Sequence, residues 1–211
     1  MIVMYMKFTP EGCGVRLGAA GLLTLATLVG TGAAHADAAT RAVPAGCSGT
    51  SPIKCHYAVS PGNYDVTVSI GGAASAGQTE MWVEARRLML PATKTAAGAV
   101  ATYSFTVNVR QPEGQPTGQG GTGNPGLDIR FAGSNPQVPA VSVRPATQPL
   151  VAYLAGDSTV CDQPAAPYTG WGQMITTAVG PGAAVANYAD SGESSGSFLS
   201  NSALFPALLV L

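Results

Sequence analysis

The chain has 211 residues, of which 46% are hydrophobic and 10% charged, with a formal net charge of -1. That much apolar material can build a core, which excludes a charge-dominated disordered chain. With 10 Lys and Arg against 11 Asp and Glu, and no dense basic run, the sequence carries no electrostatic footprint for nucleic acid or an anionic membrane.

Residues 1–36 read as a signal peptide. Lys7 and Arg16 make a basic start, Leu17 to Val29 an apolar stretch, and Ala34-His35-Ala36 a small-residue cleavage site cut after Ala36. The competing reading is an uncleaved anchor, but Gly18, Gly21 and Gly30 interrupt a run that is short of the ~20 apolar residues a bilayer needs. The protein is therefore expected to be secreted and extracellular, with no stable membrane insertion after signal removal. Outside the cytosol, neighbouring thiols can oxidise and stay oxidised. In the segment 37–61, expected as a linker, Cys47 and Cys55 enclose a stretch whose Gly49 and Pro52 suit a tight loop. A local disulfide is the sharper reading; a metal site would have only His56 nearby and no second ligand pair. Cys161 is left over, either a buried small hydrophobe or a reactive thiol.

Residues 62–144 repeatedly show an apolar period of two, the mark of a strand with one buried face. Tyr64, Val66, Val68 and Ile70 alternate with polar residues, as do Tyr103, Phe105, Val107 and Val109; Leu127 to Phe131 and Val141 to Val143 give shorter versions. Turn-forming stretches separate them, including Gly71-Gly72 and the Gly- and Pro-rich segment from Gln111 to Gly126. Short antiparallel strands so divided predict a β-sandwich of jelly-roll character, because two sheets must cover each other's apolar faces.

The grammar changes after the proline-bearing linker 145–149. Leu150 to Ala155 is a nearly continuous apolar run, as in a parallel strand buried on both faces. Trp171 to Val179 is expected as a helix and Ala183 to Tyr188 as a second buried strand, the start of an α/β parallel sheet. The chain then ends in the apolar Phe205 to Leu211, with only about 60 residues after the linker against the ~100–150 usual for a domain. Residues 150–211 are accordingly expected to be a partial domain.

A serine hydroxyl becomes an effective nucleophile only where a base can reach it and backbone donors can meet the developing oxyanion. Gly156-Asp157-Ser158 follows directly on the strand Leu150 to Ala155, so Ser158 is placed at the carboxyl edge of the sheet, where open α/β folds bind ligands. Alone, that triplet is weak. It is followed by Gly170-Trp171-Gly172-Gln173-Met174, then Asn187-Tyr188-Ala189, Ser191-Gly192, Ser194-Ser195 and Ser197-Phe198. In order and spacing these blocks resemble the SGNH (GDSL-type) hydrolases, within them the rhamnogalacturonan acetylesterase-like branch, over roughly residues 150–198.

The resemblance implies a flavodoxin-like α/β fold, Ser158 as nucleophile, the Ser158 and Gly192 backbone N–H groups as oxyanion-hole donors, and Asp157 as loop support. It implies a carbohydrate esterase that deacetylates a rhamnogalacturonan- or pectin-like polysaccharide through an acyl-enzyme, without metal or cofactor. The chain departs from the family in two ways. Glu193 and Gly196 stand in a block that usually carries arginines, and the Gly-x-Asn-Asp and Asp-x-x-His blocks are absent, no histidine following Ser158. The α/β-hydrolase alternative would want Gly-x-Ser-x-Gly, but Val160 occupies the last position.

The β-rich region, through Glu80 to Ala85, Gly114 to Gly120 and Leu127 to Phe131, is similar to the galactose-binding-like sandwich that precedes the catalytic domain in some secreted members. That implies a carbohydrate-facing role in which Trp82 stacks on sugar, against the reading of Trp82 and Tyr103 as packed strand aromatics. Two other readings stand beside the esterase: a non-catalytic carbohydrate-binding module with a hydrolase remnant, and a fragment whose two parallel strands leave edges uncovered.

Overall fold

The computed structural model describes residues 3–7, 43–117 and 124–204. The expected cleavage site at Ala34-His35-Ala36, the tail from Phe205 and the middle of the Gly-rich loop lie outside them. Eleven strands occur among the described residues: β1 (Val3–Lys7), β2 (Cys47–Ser48), β3 (Ile53–Tyr57), β4 (Gly62–Gly71), β5 (Gly77–Val83), β6 (Arg87–Thr95), β7 (Val100–Val109), β8 (Leu127–Ala132), β9 (Ala140–Pro145), β10 (Leu150–Ala155) and β11 (Ala183–Asn187). Pairing is mostly antiparallel, and helices are few and short.

Two sheets carry the first part of the chain, one ordered β2-β3-β8-β5-β6 and the other β7-β4-β9. Alternation explains how they meet. Val66, Val68 and Ile70 of β4 and Phe105, Val107 and Val109 of β7 point one way, Met81, Val83, Leu127, Ile129 and Phe131 of the larger sheet point back, and all are buried in one cluster. The polar residues between them face outward, where Thr67 pairs with Ser104 (3.0 Å) and Ser69 with Thr102 (3.3 Å) across the β4–β7 ladder.

Three details depart from the sequence reading. The segment 37–61 is not a linker throughout: from Cys47 it supplies β2 and β3, and Ile53 and Cys55 enter the core. β5 and β6 escape a period-two reading because Met81-Trp82-Val83 and Leu88-Met89-Leu90 are continuous apolar runs, and the ladder between them is irregular near Met81. The helix expected over Trp171 to Val179 is one α turn, α1 (Trp171–Met174), followed by a 3-10 turn over Ile175–Ala178. Ile175-Thr176-Thr177 is β-branched and disfavours a longer α-helix, and Gly180-Pro181 ends it.

Cys47 and Cys55 oppose each other across the β2–β3 pair and are joined by a disulfide. It closes a small loop on the core strand β3, and the loop-entropy model assigns such a closure about 2–3 kcal/mol. Replacing both cysteines by serine is expected to lower stability by that amount in urea denaturation, and an unchanged midpoint would show that the bond is not needed to hold β2.

The second part of the chain forms a separate sheet in the order β1-β10-β11. β10 and β11 are parallel, Leu150 opposite Ala183 through Leu154 opposite Asn187, while β1, which lies within the segment expected to be removed as a signal peptide, pairs antiparallel with β10. Leu154, Val160, Cys161, Val185 and Ala189 make its core, covered by Trp171, Ile175 and Val179. This unit rests directly on the sandwich. Gln173 Nε2 donates to the Ala85 carbonyl (2.7 Å), Thr176 Oγ1 to that of Leu88 (2.6 Å), and Gly182 N–H to Thr106 Oγ1 (2.8 Å).

Candidate active site

Because β10 and β11 run parallel, the loops that follow them open on the same edge. Gly156-Asp157-Ser158 leaves β10 there, and Asp190-Ser191-Gly192 leaves β11. They are tied backbone to backbone, Tyr188 N–H donating to the Leu154 carbonyl (2.8 Å) and Asp190 N–H to that of Gly156 (3.0 Å).

Ser158 is exposed at the head of its loop. Beneath it the chain is held from several sides. Asp157 Oδ1 accepts from the backbone N–H (2.9 Å) and hydroxyl (2.8 Å) of Thr159, and its backbone carbonyl accepts from Val160 and Cys161 N–H. The Thr159 backbone and hydroxyl donors hold the Asp157 carboxyl below its ordinary pKa. Gln163 Nε2 donates to the Ser158 carbonyl (2.9 Å) and reaches Ser191 Oγ (3.5 Å). Gln163 thus spans the two loops, and nothing in the sequence patterns singled it out. Cys161 is fully buried beside them, its Sγ 3.3 Å from Ser191 Oγ, and burial pushes the thiol up from its ordinary value.

Gly192 has φ +86°, in the left-handed region that favours glycine, and a Cβ there would meet open space. Backbone conformation, not crowding, therefore calls for glycine. The loop is fixed one residue earlier by the sandwich: Ser191 N–H donates to Oε1 of the buried Gln115 (2.6 Å), and Thr117 N–H to Asp190 Oδ2 (2.8 Å). Gly172 shows the opposite need, since a Cβ would collide with the Val160 carbonyl and with Asn187 Nδ2. That close approach lets the buried Asn187 amide donate to the Val160 carbonyl (2.8 Å) and to Asp162 Oδ1 (2.8 Å), which fixes the stretch just after Ser158.

Below the loops lies a buried group of charges where the sandwich meets the β10–β11 unit. Asp162, wholly buried, faces Arg110 NH2 (3.3 Å) and Arg87 Nε (3.4 Å), with Glu84 4.0 Å from Arg87 NH2. Arg110 also donates to the Gly114 carbonyl and lies 5.0 Å from the centre of the Tyr188 ring. Burial lowers the Arg110 pKa from its ordinary value and raises those of Glu84, to about 8, and Glu113, to about 7.

The remaining candidates lie elsewhere. Trp82 is half-buried with the Arg86 guanidinium 5.9 Å from its ring centroid, and its indole N–H is buried without a hydrogen-bond partner. Tyr103 packs against the sandwich core. His56 bonds Asp128 Oδ1 through Nδ1 (2.7 Å) and lines a cavity of about 480 Å³ with Tyr57, Tyr64, Val143 and Arg144, none of them from the loops after β10 or β11. The described residues contain no group of three or more His, Cys, Asp or Glu that could hold a metal ion, and no helix long and apolar enough to cross a membrane.

Ser158 is thus an exposed serine at the carboxyl edge of a parallel strand pair, beside a glycine loop, and the carboxyl edge is where open parallel sheets bind ligands. No family model matches the chain, and no curated protein does. Among solved structures, the crystal structure of the protein YXIM from Bacillus subtilis is similar at 20% identity and a TM-score of 0.29. That similarity covers 70% of this chain, and this chain spans 39% of that protein's length.

Proposed function

We propose that the chain carries the nucleophile portion of a secreted SGNH-type serine esterase that deacetylates a rhamnogalacturonan- or pectin-like polysaccharide. The observation that carries this reading is the position of Ser158, exposed directly after β10 with the Gly192 loop beside it and Gln163 between them. In the reaction, Ser158 Oγ attacks the acetyl carbonyl, the sugar hydroxyl leaves, and water releases acetate from the acyl-enzyme. Backbone N–H groups of Ser158 and Gly192 would receive the oxyanion. The sandwich is read as galactose-binding-like and the β10–β11 unit as flavodoxin-like, on the strength of the sequence blocks they carry.

The proton from Ser158 needs a base, and no histidine follows it in these 211 residues. A general base contributes about 10²–10⁴-fold, so the chain alone is expected to hydrolyse p-nitrophenyl acetate little above background. Added imidazole should then raise the rate of the wild-type chain above that of Ser158→Ala, and mass spectrometry should find the acetyl group on Ser158. Equal rates for the two proteins at every imidazole concentration would sink the assignment. A second reading, a non-catalytic carbohydrate-binding sandwich, is favoured by the half-exposed Trp82 on the outer face of the larger sheet.

A further inference from the structure

The outer face of the five-stranded sheet gathers cations that are scattered in the sequence. Registers place Lys54 of β3 opposite Arg130 of β8, Arg130 opposite Trp82 of β5, and Trp82 opposite Leu88 of β6. These four positions form one row across adjacent strands, spaced about 4.8 Å apart. Their neighbours along each strand, Ile53 and Cys55, Ile129 and Phe131, Met81 and Val83, are buried, so Lys54, Arg130 and Trp82 face outward, while at the Leu88 end the 3-10 turn packs against β6.

Lys54 and Arg130 are exposed, and among the described residues neither has a carboxylate within 4.0 Å. Like charges directly opposite on neighbouring strands destabilise a sheet, and an anion set between them would relieve that repulsion. Two carboxylates share the face: Asp128, already bound to His56 at 2.7 Å, and Glu80, two residues from Trp82. Lys94, opposite Gln78, adds another exposed cation.

The row also leads towards the nucleophile loop. Arg86, beside Trp82, donates from NH1 to the carbonyls of Gln163 and Tyr168, both at 3.0 Å, and Gln163 holds the Ser158 carbonyl. Tyr168 is 72% exposed, a free aromatic face at this end.

We infer that this face binds an acidic, uronate-bearing polysaccharide. The carboxylates of the bound chain lie over Lys54 and Arg130, and its sugar rings pass Trp82 towards Tyr168 and Ser158. A ribbon of sugar rings with regularly placed carboxylates fits two adjacent cations followed by an aromatic; a neutral glycan leaves the two cations unanswered. The inference rests on the reading of a polysaccharide as substrate, but binding is measured without turnover, so the two can fail separately.

The test is titration of the full chain with polygalacturonate, with neutral galactan and double-stranded DNA as comparisons. Polygalacturonate should bind, and more weakly as salt rises, because exposed charges are screened. The double variant Lys54→Glu/Arg130→Glu should lose about tenfold or more in affinity while its unfolding curve stays cooperative, and Arg144→Gln, which removes an exposed cation from β9 of the other sheet, should bind like the wild type. Single variants Lys54→Gln and Arg130→Gln provide the same comparison should the double variant fail to fold. Unchanged affinity in the folded charge variants, equal binding of galactan, or tighter binding of DNA would each overturn the inference.

Discussion

Replacing Asp162 by alanine is expected to cost about 3–5 kcal/mol, the loss typical of removing one partner from a buried ion pair, and to loosen the β10–β11 unit from the sandwich. Asp162 is the carboxylate that two buried guanidiniums share, those of Arg87 and Arg110, and it also accepts from Asn187. Without it both cations remain out of water, and the neighbouring Glu84, whose pKa burial lifts to about 8, is a poor counter-ion at neutral pH. The loss is large because folded domains are stable by only ~5–15 kcal/mol in total. It should also be directional, since Arg87 donates from NH1 to the Asn108 carbonyl of β7 (2.9 Å) and to the Val185 carbonyl of β11 (3.3 Å), joining the two parts of the molecule. Urea unfolding of Asp162→Ala should therefore begin at lower denaturant, and limited proteolysis should cut faster than in the wild type within the connector 145–149, where Thr147 and Gln148 are exposed. Asp162→Asn keeps the shape and should fall between the two. A variant as stable and as protease-resistant as the wild type would mean that the charges are not what binds the sandwich to the β10–β11 unit.

None of these charges stands out in the sequence, and the reason is physical. A strand with one buried face advertises itself by alternation, so β4, β7 and β8 are legible from Val66-Thr67-Val68, Phe105-Thr106-Val107 and Leu127-Asp128-Ile129. β10 is legible as a continuous apolar run, and Ser158 by its place directly after it. Residues that act through partners far along the chain leave no local period. Arg87 meets Asp162 across 75 positions of sequence, and Lys54 meets Arg130 only through the β3–β8 register, so a chain without any basic run still assembles a cationic sheet face. Gln115 and Gln163 are equally silent, because an amide is an ordinary loop residue until its partner is known. A usable hint was composition: with only 10% of residues charged, Asp162 next to a cysteine, soon after the buried strand that ends at Ala155, is an unusual place for a carboxylate.

The same buried group makes stability depend on pH in an uncommon sense. Glu84 is buried with Oε1 accepting the Asp128 N–H (3.0 Å) and Oε2 lacking any hydrogen-bond donor, and burial lifts its pKa from 4.5 to about 8. Arg87 opposes that rise, while Glu113 and Asp128 add to it; Glu113 is itself raised to about 7, chiefly by burial. A carboxyl whose folded pKa lies above its unfolded value holds its proton more tightly in the native state. The stabilising effect of that proton is complete below about 4.5 and is lost as pH rises towards about 8. Most proteins lose stability on acidification through their ion-paired carboxylates; here Glu84 and Glu113 act in the opposite direction. Thermal unfolding should show Tm falling between pH 5 and pH 8, by an amount on the order of a few kcal/mol in stability. Glu84→Gln retains an acceptor for the Asp128 N–H and cannot ionise, so it should match the wild type near pH 5 and exceed it at pH 8. Glu113→Gln should remove a smaller part of the slope. A wild-type Tm that is flat or rising across this range, or a Glu84→Gln protein less stable than the wild type at pH 8, would show that Glu84 is ionised and held by Arg87 in the native state.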